Sequence, residues 1–200
     1  MEGAKFKTLY NKIQKYTIHV KIDYMYCILA GMTTEFKSAG CIFTNGRHIL
    51  AGFQDKHQNP SMNGFGGKRM DNEEPIDTAL RETIEELYGY SIVPKELIEK
   101  IKWHIHVPKP LDRGDYKAFV YSFEDLRTIQ WHVKHHMRAS ALYMKMPFTL
   151  EELILNRIPS PSSEVKQLAL LPLLKSLTID SYFLDDCVEL LKPGSESVSE

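Results

Sequence analysis

The 200 residues are enough for one domain of ordinary size, and 43% hydrophobic with 26% charged residues is the composition of a globular protein. The net charge of -1 excludes binding of nucleic acid or membranes by the charge of the whole chain, although local patches are still allowed. Three cysteines, Cys27, Cys41 and Cys187, form no CxxC pair. So sparse and odd a count predicts free thiols in a reducing compartment.

We find neither a secretion signal nor a membrane span in the sequence. The first residues, MEGAKFKTLYNKIQKY, lack the apolar core of a signal peptide, and the apolar run YMYCILAGM is too short to cross a bilayer. We therefore expect a cytoplasmic protein without a membrane partner. We predict an N-terminal extension over residues 1–30, one main domain over residues 31–192 and a disordered tail over residues 193–200.

Apolar spacing and turn residues divide the chain into helices and strands. The predicted elements are, in order, a helix at 6–16, a strand at 17–29, a β-hairpin at 39–53, a glycine-rich loop with a short strand at 60–72, a helix at 75–88, strands at 101–107, 115–123 and 140–146, and helices at 149–158, 163–177 and 180–191. Asn45 and Gly46 centre the hairpin because this pair accepts positive φ, and Gly89 ends the helix that Pro75 begins. Strands and helices interspersed in this way predict a mixed α/β or α+β class.

The stretch ALRETIEELYG, residues 79–89, places three carboxylates within five positions. An apolar stripe at a period of 3.6 residues faces the core and consists of Ile76, Ala79, Leu80, Thr83, Ile84 and Leu87. Glu82, Glu85 and Glu86 then share the other side of the helix, where like charges repel by about 0.2–0.5 kcal/mol per pair. Either water relieves the repulsion on a solvated face, which is the better interpretation of the helix alone, or a positive group lies among them. Arg81, four residues before Glu85, can pair with it.

A longer pattern surrounds this helix. Its fixed positions are Gly67, Glu73, Arg81, Glu82, Glu85 and Glu86, and their spacing resembles the Nudix box, G-x5-E-x7-R-E-U-x-E-E-x-G-U with U aliphatic. Chance agreement at these positions is on the order of one in ten million per start position. Three residues depart from the pattern: Thr83 replaces an aliphatic residue, Tyr88 replaces the closing glycine, and Asn72 stands where many members have glycine. Asparagine tolerates positive φ, so the last change keeps the turn available.

This resemblance implies a Nudix α/β/α sandwich around a mixed sheet, and a hydrolase that cleaves the phosphoanhydride of a nucleoside diphosphate linked to another group. It implies Mg²⁺ as cofactor, with Mn²⁺ as a substitute, because hard cations prefer oxygen ligands. The implied metal ligands are Gly67, Glu82, Glu85 and Glu86, and the implied structural supports are Glu73 and Arg81. The implied general base is a helix glutamate, Glu82 or Glu85, or the distant Glu164. The simpler interpretation of Glu164 is a helix-start glutamate placed for the dipole.

Residues 61–68, SMNGFGGK, bear on the substrate. They resemble the NGFGGK run of the Nudix branch that removes oxidised purine nucleoside triphosphates, with Met62 in place of a common tryptophan. The resemblance implies that Asn63 binds the base, that Phe65 packs nearby and that Lys68 approaches phosphate. We therefore expect a nucleoside triphosphate substrate, an oxidised purine included, that yields monophosphate and pyrophosphate. The alternative is that Asn63 and Gly64 only make a turn.

Three other functions fit the same box. An enzyme that hydrolyses the mRNA cap would bind capped RNA with the basic segment KFKTLYNKIQKY, residues 5–16. A diphosphoinositol polyphosphate hydrolase needs more basic residues around the pocket than the sequence places there. A non-catalytic Nudix-like binding module usually lacks box glutamates, and all are present here. A homodimer stays open in each case.

The run WHVKHHM, residues 131–137, groups three histidines. His132, His135 and His136 allow a metal site or a basic patch near phosphate. Their spacing matches no zinc signature, and no cysteine is near in sequence. A solvated loop or helix is therefore the favoured interpretation.

Overall fold

The computed structural model describes residues 36–56, 59–173 and 181–190, with the side chains of residues 55, 56, 59, 60, 181 and 182 left aside. The predicted helix at 6–16, strand at 17–29 and tail at 193–200 lie outside these residues. Cys41 and Cys187 are buried free thiols, as predicted, and burial raises the pKa of Cys41 to about 12. None of the described helices is both long and apolar enough to cross a membrane.

Within the described residues, seven strands form one mixed sheet. They are β1 (Ser38–Thr44), β2 (His48–Lys56), β3 (Asn59–Asn63), β4 (Phe65–Lys68), β5 (Leu111–Arg113), β6 (Tyr116–Tyr121) and β7 (Val165–Pro172). The order is β3-β2-β1-β6-β5, with β4 also beside β1 and β7 also beside β2. The β1–β6 pair is parallel and the other pairs are antiparallel. The predicted mixed α/β class is confirmed.

The hairpin strands β1 and β2 separate soon after their turn. They pair only at Phe43 and Thr44, beside the turn where Gly46 has φ 79°. Beyond that point β3 pairs with β2 while β4 pairs with β1, so the β3–β4 segment fills the opening between them. The predicted hairpin is therefore confirmed, and its opening brings the glycine-rich segment into the sheet.

In the part of the chain that the structure describes, five helices flank the sheet. They are α1 (Pro75–Tyr88), α2 (Lys95–His104), α3 (Phe123–His136), α4 (Leu150–Leu155) and α5 (Ser181–Leu190). One buried cluster joins the first four helices to one face of the sheet, and a second joins α5 to the other face. Successive side chains of β1 point to opposite faces of the sheet, so Cys41 and Phe43 lie in the first cluster and Ile42 lies in the second. Helices on both faces of a mixed sheet form the predicted three-layer arrangement.

The helix at 75–88 has the bounds that the sequence predicts. Pro75 is its first residue, and Gly89 follows its end with φ 71°, a left-handed conformation that favours glycine. The predicted stripe from Ile76 to Leu87 is buried, and Thr83 within it is fully buried. Tyr88 is also fully buried, so the departures from the box at Thr83 and Tyr88 keep the helix packed on the core.

Two predicted strands are wrong. Residues 101–104 belong to α2, because Leu97, Ile98 and Ile101 bury one side of a helix and override the alternation that follows them. Residues 140–146 form a loop with one isolated bridge between Ser140 and Tyr143.

The helix predicted at 163–177 is also wrong, because residues 165–172 form β7. This strand pairs with β2 over most of its length, and the pairing overrides the helix preference of its leucines. The predicted helices at 149–158 and 180–191 are confirmed as α4 and α5. For α3, the sequence predicts a loop or helix only at its end, residues 131–137. The helix begins after Ser122, whose side chain caps it by accepting from the amide of Asp125 (3.1 Å).

Histidines line the contact between α2 and α3. The rings of His104 and His132 lie 4.6 Å apart, and Lys100 Nζ donates to His136 Nε2 over 2.8 Å. These two pairings show that the two helices run antiparallel. His132 is only 3% exposed. Burial, and then the neighbouring positive groups with His104 first among them, lower its pKa from 6.5 to about 4.

This burial predicts a loss of stability in weak acid. The unfolded imidazole of His132 binds a proton near pH 6.5 and the folded one only near pH 4, so its contribution is complete above pH 6.5 and declines as the pH falls towards 4. His132→Phe should flatten the dependence of the unfolding free energy on pH between 7.5 and 5, as measured by urea denaturation. The exposed neighbour variant His135→Gln is the control. Equal slopes in wild type and His132→Phe would contradict the assignment.

Candidate active site

A buried arginine lies among the acidic side chains of α1. The Arg81 side chain is 7% exposed. Its Nε donates to Glu73 Oε1 (2.6 Å), and its Nη1 donates to Glu82 Oε1 (2.8 Å) and to Glu85 Oε2 (3.1 Å). Burial alone would lower the pKa of Arg81. The hydrogen bonds to Glu73 and Glu82 raise it by more, so the pKa of Arg81 lies above its usual value. The acidic side of the helix is therefore not a solvated face, and the positive group among the carboxylates is Arg81.

The same arginine ties the loop before α1 to the helix. Its Nη2 donates to the backbone carbonyl of Lys68 over 2.7 Å. Glu73, held by Arg81, also accepts from the Met70 amide (3.0 Å) and from the Thr78 hydroxyl (2.7 Å). Burial would raise the pKa of Glu73, and these hydrogen bonds, led by that from Arg81, bring it below its usual range. Asn72 has φ 63°, which confirms the positive φ predicted for this turn.

Glu86 points into the sheet. It is 7% exposed, and its Oε2 accepts from the Gly66 amide (2.9 Å) while its Oε1 accepts from Gln54 Nε2 (3.1 Å). Gln54 Oε1 in turn accepts from Asn63 Nδ2 (3.2 Å). A chain of hydrogen bonds therefore links a residue expected to bind the base to a residue expected to bind metal. Sequence analysis missed Gln54, whose signal is a polar residue within the apolar strand HILAGFQDK.

Two glycines of β4 let the backbone approach these carboxylates closely. A Cβ at Gly67 would overlap the Glu82 carboxylate, and one at Gly66 would lie 2.6 Å from the carbonyl of Ala39. Neither position has room for a side chain. The glycine loop, by which we mean residues 64–67 at the start of β4, is thus in direct contact with the acidic side of α1.

The donor chemistry fits a hard divalent cation. Glu82 and Glu85 each give one oxygen to Arg81, and within the described residues the second oxygen of each has no hydrogen-bond partner. The pKa of Glu85 is raised, mainly by burial. The charge of Arg81 lowers this pKa, and the charge of Glu82 raises it. Over the described ranges, no three or more His, Cys, Asp or Glu side chains are already grouped as a metal site. An ion would therefore have to use single oxygens of these glutamates together with backbone oxygen and water.

Arg157 binds the C-terminal end of α1, a role that was not predicted from the sequence. This buried guanidinium donates to the carbonyls of Glu86 (2.8 Å), Leu87 (2.7 Å) and Val165 (2.7 Å). The first two carbonyls belong to the last turn of the helix, which has no internal partners for them. Arg157 therefore fixes the C-terminal end of α1 against β7.

The other predicted site residues lie in three different settings. Phe65 is fully buried in the core, with its ring 6.3 Å from that of Phe43, and it does not line a surface with Asn63. Lys68 is exposed. Glu164 is exposed and precedes the strand β7, so the predicted helix start at this residue is wrong.

The histidine cluster is separate from the carboxylates. His132, His135 and His136 lie in α3, where His135 Nδ1 and His136 Nδ1 bond to carbonyls one turn earlier. The contacts of the cluster are with α2 and within α3. The run is helical, one of the two predicted alternatives, but His132 is buried, so the prediction of a solvated run is wrong for this residue.

Comparison with known proteins finds relatives by structure only. No family model and no curated protein matches the sequence. A Nudix family hydrolase from Clostridium perfringens is 16% identical over 78% of this chain and 95% of its own, with a TM-score of 0.39. The MutT protein from Methanosarcina mazei Go1 is 14% identical over 80% of this chain and 96% of its own, with a TM-score of 0.37.

A third similar structure is a bifunctional NMN adenylyltransferase/ADP ribose pyrophosphatase from Francisella tularensis, obtained with AMP and a Mn ion. It is 18% identical over 56% of this chain and 33% of its own, with a TM-score of 0.33. The first of these structures is named for the Nudix family, whose box the sequence of this chain resembles, and the second is named MutT. At these identities and TM-scores they assign no activity, so function is argued from the residues of the chain itself.

The role of Arg157 predicts a large stability effect. Arg157→Met leaves three backbone carbonyls without their charged donor, and we expect a loss of roughly 2–4 kcal/mol in the free energy of unfolding. Arg127→Met is the matched control, because Arg127 is exposed on α3 and its ion pair within the described residues is with Glu124. We expect it to cost about 0–1 kcal/mol. Urea denaturation of both variants is the measurement, and equal losses would contradict the role given to Arg157.

Proposed function

We propose that this chain is a Nudix hydrolase that cleaves a phosphoanhydride bond of a nucleotide substrate, with Mg²⁺ or Mn²⁺ as its cofactor. The observation that carries the proposal is the contact between the glycine loop and the acidic side of α1. Gly67 packs against the Glu82 carboxylate, and Gly66 donates to Glu86. These are the two parts of the box that the resemblance expects to act together.

The proposed metal ligands are Gly67, through its carbonyl, and Glu82, Glu85 and Glu86. A divalent ion there would neutralise charge on the anhydride and lower the pKa of a bound water. Glu82 and Glu85 offer the oxygens that Arg81 does not use. Glu86 accepts hydrogen bonds from Gly66 and Gln54, and a carboxylate oxygen can accept such bonds and bind an ion together. Glu73 and Arg81 support the site by holding the loop on the helix.

The proposed general base is Glu82 or Glu85, with Glu164 as the distant alternative. The two helix glutamates lie at the loop, where an attacking water would be bound. Glu164 directly precedes Val165, which lies opposite Gln54 in the sheet, and Gln54 donates to Glu86. This neighbourhood supports Glu164 as a candidate despite its place before a strand.

We propose a nucleoside triphosphate as substrate, with oxidised purines among the forms accepted. Asn63 gives its Nδ2 to Gln54 and Ser61, and its Oδ1 accepts no hydrogen bond within the described part of the chain. That oxygen is available to a donor on a base. Lys68 is exposed beside the glycine loop, where an ammonium can approach phosphate. Phe65 contributes as core packing beneath this strand because it has no exposed surface.

The metal site predicts a selective effect of neutralising one glutamate. Glu85→Gln keeps an oxygen for Arg81 but removes a charge and a ligand, so we expect kcat to fall by roughly 100-fold or more. Its affinity for Mn²⁺, measured by electron paramagnetic resonance without substrate, should fall as well. The control is Glu96→Gln, which changes an exposed glutamate in the first turn of α2. Unchanged turnover and unchanged Mn²⁺ affinity in Glu85→Gln would refute the site.

The substrate assignment is tested by a panel of nucleoside triphosphates, dinucleotides, diphosphoinositols and capped RNA, with products identified by mass. We expect monophosphate and pyrophosphate from a purine triphosphate. Asn63→Ala should lower kcat/KM for that substrate by about tenfold, the value of one or two hydrogen bonds. Ser61→Ala, which removes only a hydrogen-bond partner of Asn63, is the control. Preferential cleavage of capped RNA, inhibited by RNA in a salt-dependent way, would move the assignment to the cap-hydrolysing alternative.

A further inference from the structure

Both tryptophans of the chain are exposed on neighbouring helices. Trp103 in α2 is 62% exposed and Trp131 in α3 is 44% exposed, and these are the two tryptophans in the sequence. Tryptophan is highly buried on average, because its large apolar surface is costly to leave in water. The Trp131 ring is also ordered, since it stacks on His135 with ring centroids 4.1 Å apart and planes 30° apart. Two exposed indoles on adjacent helices indicate a contact surface.

Positive side chains surround the two indoles. Lys100 in α2, Lys134 in α3 and Arg138 just after α3 are all exposed. The ion pairs that the described residues form among themselves include none with these three. By contrast, Lys102 pairs with Asp77 and Glu99 on the other flank of α2. Glu96 lies one turn before Lys100 on the same side of α2, and Lys134 lies over the Phe148 ring and acts on the Glu152 carboxylate. Three exposed cations against these two carboxylates leave an excess of positive charge on the side of α2 and α3 that carries the tryptophans.

Helix ends alone do not explain this surface. Basic residues in the last turn of a helix complement its dipole, which accounts for Lys134 and His135. Lys100 lies in the middle of α2, and Arg138 lies beyond the end of α3. Neither exposed tryptophan is favoured by a dipole. The combination of exposed aromatic rings with an excess of cations needs a further explanation.

We propose that this aromatic and basic face, formed by Lys100, Trp103, Trp131, Lys134, His135 and Arg138, binds single-stranded nucleic acid. Exposed rings interleaved with cations suit a single strand, because bases stack on the rings while the phosphates pair with the cations. A duplex has its bases already stacked and offers the rings nothing. The face shares no residue with the carboxylate cluster on α1, so this inference does not depend on the proposed hydrolysis.

The test is fluorescence anisotropy of labelled dT20 and rU20 with the full chain at 50 mM and 200 mM salt. We expect binding that weakens with salt, with a slope of log K against log salt that is less steep by about 2 in the triple variant Lys100→Gln/Lys134→Gln/Arg138→Gln. Trp103→Ala and Trp131→Ala should each weaken binding by roughly fivefold or more, and Trp131→Phe should restore much of the loss because phenylalanine still stacks.

Controls and outcomes separate a specific face from general attraction. Arg127→Gln, on α3 but paired with Glu124, and Ile92→Ala, an exposed apolar residue outside the face, should leave binding unchanged. Circular dichroism and hydrolysis of a nucleoside triphosphate should be unchanged in the tryptophan variants. The inference is overturned if neither oligonucleotide binds at 50 mM salt, if the tryptophan variants bind as tightly as wild type, or if a duplex or poly-glutamate competes as well as dT20.

Discussion

The buried guanidinium of Arg81 is the interaction on which the rest of this site depends. It pairs with Glu73, Glu82 and Glu85, and one cation against three carboxylates leaves two negative charges uncompensated. Such a group costs free energy to remove from water, and only the full set of hydrogen bonds repays it. The excess negative charge is what a divalent ion would neutralise. Arg81 thus keeps the acidic helix folded without removing its capacity for a cation.

The opening between β1 and β2 brings the proposed base-binding residue and the proposed metal ligands together. Because β3 pairs with β2 and β4 pairs with β1, the chain crosses at Gly64 from beside β2 to beside β1. Asn63 lies before the crossing and Gly66 after it, and both connect to Glu86, the first through Gln54. A base held at Asn63 would therefore be read by a network that also positions a proposed metal ligand. In the proposed site, substrate recognition and metal geometry would share one set of hydrogen bonds.

What the sequence predicts well is local, and what it misses is distant. The bounds of α1, the turn at Gly46 and the positive φ of Asn72 each follow from residues within a few positions of one another. The strand β7 was taken for a helix because its leucines favour one until β2 pairs with them. Gln54 and Arg157 were missed because their partners lie 32 and 70–71 residues away. No local pattern marks a polar residue whose acceptor is that far along the chain.

The two arginines also decide on which side of α1 negative charge remains. The C-terminal end of a helix carries partial negative charge, which adds to that of the glutamates in its second half. Arg157 satisfies the carbonyls at this end from the side of β7, and Arg81 covers the acidic side chains from the loop. Neither contacts the second oxygens of Glu82 and Glu85. Negative charge without a hydrogen-bond partner in the described part of the chain therefore remains on those oxygens, and the Glu82 carboxylate lies next to Gly67. The proposed divalent ion would neutralise this remaining charge at the point where the glycine loop meets the helix.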